Sequence, residues 1–257
     1  YDIHDKWSRN FFKTDIYAST CLRGKKINVS FNNEFFLPYK INLENYKKFS
    51  ALNTKISACE KKVLILTSNF SQNKNPFWNQ CIHRYHIEPF LKTLKDYLII
   101  NPKFGCVFKC KKIEEFNFLT QWLKSNECLS KQIDIIIPSL GIPLLDLTKD
   151  YNHFLSIVAS NSSPSASYEL SNLIPKKSIH FIDLTRIYSL EIYLKNLSLN
   201  KKINKLPFEI HNDLKSYFIN LDINKMDLER KYSVIEYNKF CDNLFDKFTQ
   251  NFTIRKL

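Results

Sequence analysis

The sequence predicts an α/β protein: an open parallel sheet with helices on both faces, followed by C-terminal helices. Three observations predict it. First, five short apolar runs, at residues 61–68, 105–108, 133–137, 154–160 and 178–183, alternate with segments of helical spacing, the order that builds parallel strands joined by crossover helices. Second, the runs are nearly continuous in Val, Ile, Leu and Phe rather than alternating with polar residues, as strands buried on both faces are. Third, 44% hydrophobic and 25% charged residues over 257 positions suffice for a packed core and argue against disorder.

The elements follow in chain order. Residues 1–60 show no sustained period. Phe11, Phe12, Phe35, Phe36 and Tyr39 are apolar anchors, residues 27–31 alternate like a half-buried strand, and residues 42–51 suit a short helix. The segment reads as a partial N-terminal piece or lead-in to a domain over 61–257. Lys61-Lys62-Val63-Leu64-Ile65-Leu66 then gives way to the small polar residues Thr67 and Ser68, as a buried strand does where it enters a functional loop. A helix is expected over 78–100, broken near Pro89, with Ile87, Phe90, Leu91, Leu94, Tyr97 and Leu98 on one face and Asn101-Pro102 as its stop. After the strand at 105–108, Ile113, Phe116, Leu119, Trp122 and Leu123 mark the next helix, and Pro138 halts the β-branched strand at 133–137. Pro143 opens a short helix through Leu144, Leu145, Leu147 and Tyr151. A helix near 165–173 follows the fourth strand, and the part beyond 183 reads mainly as helices, including 213–221 and 233–248.

Composition narrows the function. Thirty-eight Lys and Arg against 25 Asp and Glu give a charge of +13, which favours anionic partners: nucleic acid, anionic lipid or phosphorylated small molecules. Gly24, Gly105 and Gly141 are the whole glycine complement, so a Rossmann G-x-G-x-x-G, a Walker P-loop and a kinase glycine loop are excluded. Seven cysteines, an odd number without framework spacing, predict reduced thiols and an intracellular, cytoplasmic protein. No run is long enough for a transmembrane helix and no signal peptide is visible. The first residue is Tyr rather than Met, and the sequence leaves two readings open: the downstream part of a longer protein, or a chain whose N-terminal half is reduced. Zinc is disfavoured: Cys81, His83, His86, Cys106 and Cys110 lack a C-x-x-C pair and overlap expected core elements.

Ligands of open parallel sheets bind outside the carboxyl ends of the strands. That directs attention to the loops at 67–75, 109–112, 138–141 and 160–165. The last is the most informative: Ser160-Asn161-Ser162-Ser163-Pro164-Ser165-Ala166-Ser167-Tyr168-Glu169 links an apolar strand to an amphipathic helix. Small hydroxyl residues leave backbone N–H groups accessible at the helix start, a way to bind phosphate without glycine. Ser163 suits the cap and Pro164 an early helical position. Glu169 lies further along, where a carboxylate accepts hydrogen bonds from ribose hydroxyls. The alternative for the same residues is a serine-capped helix that binds nothing.

The order Ile142-Pro143-Leu144-Leu145-Asp146-Leu147, strand 154–160, the serine turn with Glu169, and Ile179-His180-Phe181 resembles the carboxyl-terminal nucleotide-sugar domain of GT-B glycosyltransferases. The likeness is greatest to bacterial enzymes that build capsule or lipopolysaccharide, and it covers about residues 61–250. It implies a Rossmann-like fold and transfer of a sugar from a nucleotide-activated donor to a bacterial surface glycan. By the same resemblance Ser162, Ser163 and Ser165 contact donor phosphate, Glu169 holds the ribose, the Ile137-Pro138 backbone lies near the base, and Thr67 and Ser68 face the cleft. Where several such families carry His-Pro after the second strand, this chain has Lys109-Cys110-Lys111-Lys112. Lys109 and Lys111 are therefore expected to neutralise phosphate charge, with no metal or other cofactor. Sixty upstream residues are too few for an acceptor domain, so no catalytic base is assigned. The expected partners are a nucleotide-sugar donor, a glycan acceptor and an anionic membrane surface at the inner face. The competing expectations are a basic nucleic-acid-binding protein or nuclease, and an inactive glycosyltransferase-like binding module.

Overall fold

The computed structural model describes residues 17–19, 34–36, 38–49, 56–67, 84–151, 153–158, 165–184, 208–211, 215, 217, 218, 221 and 230–253. The main sheet has six strands, all parallel: β3 (Lys61–Leu66), β4 (Phe104–Lys109), β5 (Ile133–Ile136), β6 (His153–Val158), β7 (Ile179–Asp183) and β8 (Glu209–His211). Their order is β5-β4-β3-β6-β7-β8. This is a Rossmann-like arrangement, in which the chain builds outward from β3 on one side and then returns to β3 to build on the other. A separate parallel pair, β1 (Tyr17–Ser19) and β2 (Glu34–Phe36), precedes it. The strand expected at 27–31 lies outside the described residues.

Strand side chains alternate between two cores, as the pleat requires. On one face Leu64, Leu66, Val107, Phe154 and Phe181 pack with Ile41, Ile56, Tyr151, Leu170 and Tyr237. On the other, Val63, Ile65, Phe108, Leu155, Ile157 and Ile182 pack with Phe90, Leu91, Leu94 and Leu98 of α2 (Arg84–Ile100) and with Leu119 of α3 (Ile113–Lys124). Burial on both faces explains why the strands read as apolar runs.

Several boundaries differ from expectation. Helix α2 runs through Pro89 without ending there. Proline removes one backbone hydrogen bond, but Ile87, Phe90, Leu91, Leu94 and Leu98 are all buried, and their packing outweighs that loss. The element after Pro143 is a 3-10 helix, Leu145–Asp150. Beyond residue 183 the chain is not only helical, since β8 extends the sheet. Three residues, Glu209-Ile210-His211, are too few to show a period of two. The C-terminal helix expected at 233–248 is α5 (Val234–Thr253), which buries Tyr237 and Cys241.

The residues just before the sheet are tied to it. The helix expected at 42–51 is α1 (Leu43–Phe49). The Ile41 amide donates to Asn238 Oδ1 at 2.8 Å, and Asn238 Nδ2 returns a bond to the Ile41 carbonyl at 2.9 Å. Buried Asp146 accepts from the Asn42 amide (3.0 Å) and from Asn45 Nδ2 (3.2 Å). Among the described residues no helix is long and apolar enough to cross a membrane. Cys59, Cys106, Cys110, Cys128 and Cys241 are free thiols.

Candidate functional site at the strand crossover

The sheet order changes direction at β3, which has β4 on one side and β6 on the other. Loops leaving neighbouring strands in opposite directions open a crevice there. A cavity of about 490 Å³ occupies it. Its floor carries Leu66 and Thr67 from the end of β3, and Lys109, Cys110 and Lys111 from the end of β4. Ala166 and Glu169 line it from α4 (Ser165–Leu170). Tyr39, Lys40, Ile142, Pro143 and Leu144 complete the wall.

Thr67 and the loop after β4 are locked together by one carboxylate. Glu115, fully buried, accepts from the Lys111 amide at 2.7 Å, from the Lys112 amide at 3.4 Å and from the Thr67 hydroxyl. The Thr67 amide also donates to the Lys109 carbonyl at 3.3 Å. A buried carboxylate is tolerable when donors surround it, and the first turn of α3 supplies amides that favour negative charge. Glu115 thereby fixes the path of residues 109–112 and the places of Lys109 and Lys111.

Lys109 and Glu169 face the same cavity and attract each other. Burial pushes the Lys109 ammonium down, and Glu169 and Cys110 partly offset it. Burial pushes the Glu169 carboxyl up, and Lys109 partly offsets that. Each therefore gives up its charge more readily than in water, and each gains from an opposite charge brought by a ligand. Burial, and then Glu115, push the Cys110 thiol up to about 12. It therefore holds its proton near neutral pH, as buried thiols do.

Helix α4 is held to the sheet by the buried pair Ser156 and Ser167, whose hydroxyl oxygens lie 3.0 Å apart. Ser167, one of the serine-turn hydroxyls, is thus a strut between β6 and α4. It orients the helix so that Ala166 and Glu169 line the cavity.

The structure brings together Thr67, Lys109, Lys111 and Glu169 from among the expected site residues. It does not bring Ile137 and Pro138 with them. They follow β5 at the sheet edge, half-buried, and neither lines the cavity. The wall instead comes from the next few residues. The turn Pro138–Leu140 closes on Gly141, whose φ of 58° suits glycine, and delivers Ile142, Pro143 and Leu144. Ser68, Ser162 and Ser163 lie outside the described residues, as do Cys81 and His83. Ser165 is the first residue of α4. Sequence reasoning missed Glu115, Tyr39 and Lys40 as site residues. Only Glu115 leaves a sequence signal, a carboxylate three positions into a helix.

Comparison with protein-family models, curated proteins and solved structures finds no match to this chain. The geometry alone therefore limits the chemistry. A lysine at a strand end and a carboxylate on α4, beside a partly apolar wall, suit a ligand that carries both an anionic group and hydrogen-bonding hydroxyls. Among the described residues no group of three or more His, Cys, Asp or Glu is placed to hold a metal ion.

A second polar cluster lies elsewhere on the sheet. His153 Nδ1 is 2.6 Å from His180 Nε2, and His180 Nδ1 is 3.0 Å from His211 Nε2, a ladder across β6, β7 and β8. The Tyr217 ring meets His180 and His211 edge-on. None of the three histidines lines the cavity.

Proposed function

We propose that the cavity holds the nucleotide of an activated sugar, and that the chain is a glycosyltransferase or its donor-binding part, acting on a bacterial surface glycan. The observation that carries this reading is the Lys109–Glu169 pair, with Thr67, at the crossover of a Rossmann-like sheet. A phosphate entering the cavity replaces Glu169 as the partner of Lys109. Glu169 is then available to the ribose hydroxyls. Lys111 adds a second cation, and the departing nucleotide leaves with its charge stabilised. The net charge of +13 extends the reading to attachment at an anionic membrane face.

Isothermal titration of the chain with UDP, CMP, GDP and their sugars tests the proposal. The expected result is saturable binding of at least one. Glu169→Ala is expected to weaken ribose-bearing ligands without weakening inorganic phosphate, because the carboxylate binds the hydroxyls and otherwise competes with phosphate for Lys109. Absence of binding by every nucleotide to the folded protein overturns the reading. Steeply salt-dependent filter binding of RNA or DNA, without nucleotide binding, would instead identify a nucleic-acid-binding protein.

A further inference from the structure

We infer that Tyr39 is the stacking face of a base subsite, so that the segment ahead of the sheet supplies the aromatic recognition element of the cavity. This rests on the nucleotide reading above and adds the part of the ligand that Lys109 and Glu169 do not explain.

Tyr39 lines the cavity yet is 61% exposed. A large ring left open to water on a cavity wall has a free face for a planar partner. Its main chain, by contrast, is pinned. The Tyr39 carbonyl accepts a weak bond from Cys241 Sγ at 3.9 Å, and Asn238 binds both the amide and the carbonyl of Ile41. Between them, Lys40 Nζ reaches both carboxylate oxygens of Asp242, at 2.7 and 2.9 Å. All three anchors sit on α5, which is itself packed into the core through Tyr237 and Cys241. The ring is therefore carried on a rigid backbone, which lowers the entropy lost when a ligand orders it.

The remaining lining divides by chemistry. Ile142, Pro143 and Leu144 are apolar, whereas Lys109, Lys111 and Glu169 are charged. A ligand that uses both parts has a flat, weakly polar ring at one end and an anion at the other. A nucleoside phosphate has that form. Inorganic phosphate and a free sugar phosphate lack the ring. Stacking on a tyrosine also tolerates different bases, because every base has a π-face. The wall accordingly sets affinity for nucleosides as a class rather than for one base.

The test compares wild type, Tyr39→Ala and Tyr39→Phe by titration with UDP, CDP, GDP, inorganic pyrophosphate and ribose 5-phosphate. Because the ring is mostly exposed, both variants should keep the wild-type circular dichroism spectrum. The expected result is a loss of about tenfold or more in nucleoside diphosphate affinity for Tyr39→Ala. Pyrophosphate and ribose 5-phosphate should change less than twofold, and Tyr39→Phe should stay near wild type. Equal losses for nucleotides and pyrophosphate, or no loss for nucleotides, overturn the role of Tyr39 while leaving nucleotide binding in place. Wild-type protein that binds none of these nucleoside diphosphates, and no CMP either, overturns both readings.

Discussion

Glu115 shows how much a single buried group controls at the site. Its carboxylate is the shared acceptor for two backbone amides and the Thr67 hydroxyl. Glu115→Ala takes the acceptor from two part-buried amides and leaves the Thr67 hydroxyl only the Lys109 carbonyl at 3.2 Å, and each unsatisfied polar group costs about 1–3 kcal/mol. We expect urea denaturation to show a loss of about 2–4 kcal/mol, together with weaker nucleotide binding as residues 109–112 lose their tether. Glu115→Gln keeps an acceptor oxygen and should recover most of the stability. Equal stability of Glu115→Ala and wild type would contradict the tether. Residues of this kind explain what the sequence reveals of the site. Thr67, Lys109 and Glu169 are legible because strand ends and the first turns after them are where open sheets bind ligands. Tyr39 is not, because it reaches the cavity only through tertiary bonds to α5. Ser167 carries no sequence signal that sets it apart from the other serines of the turn, and only its contact with Ser156 marks it as a strut.

At the scale of elements, legibility followed burial. Strands β3 to β7 are covered on both faces and announce themselves as apolar runs. The edge strand β8 does not, since its placement comes from neighbours rather than from local pattern, and the short helix after Pro143 is legible in its place but not in its 3-10 form. One glycine reveals how closely the elements fit. A Cβ on Gly105, in β4, would lie 2.8 Å from Cys59 Sγ, 3.0 Å from Cys59 Cβ and 3.3 Å from the Gln132 carbonyl oxygen. Two of those atoms belong to a buried side chain and the third to backbone, so little can yield. Gly105→Ala is expected to destabilise by about 1–3 kcal/mol, the usual cost of overpacking. Adding Cys59→Ala removes the sulfur but not the Cβ, and should restore only part. A thermal melt in which Gly105→Ala matches wild type would show that β4 can shift away from the Cys59 turn.

Across the whole molecule, the histidine ladder couples the stability of the sheet to pH. A neutral imidazole has one N–H, so His180 donates through one nitrogen and accepts through the other, satisfying both neighbours. A proton added at His153 or His180, both buried, has little water to solvate it. Burial holds His153 down to about 4, with Lys177 and Lys61 adding repulsion. Burial, and then His153 and His211, hold His180 well below its ordinary value. In the unfolded chain histidine titrates near 6.5. Below that pH the unfolded state binds protons that the folded state refuses, so stability is fully present above about 6.5 and is lost as pH falls toward 4. For His153 alone the loss between pH 7 and pH 5 is about 2 kcal/mol. Glu169 and Asp146 act in the opposite sense, because burial raises both carboxyls and the folded state then holds protons more tightly. A variant comparison separates the two contributions. Urea midpoints of wild type and His153→Leu, measured from pH 7.5 to pH 4.5, should show a steeper acid-side fall for wild type. Parallel curves would mean that His153 takes up a proton in the folded state as easily as in the unfolded one, and the ladder would then not be the acid-sensitive element of the sheet.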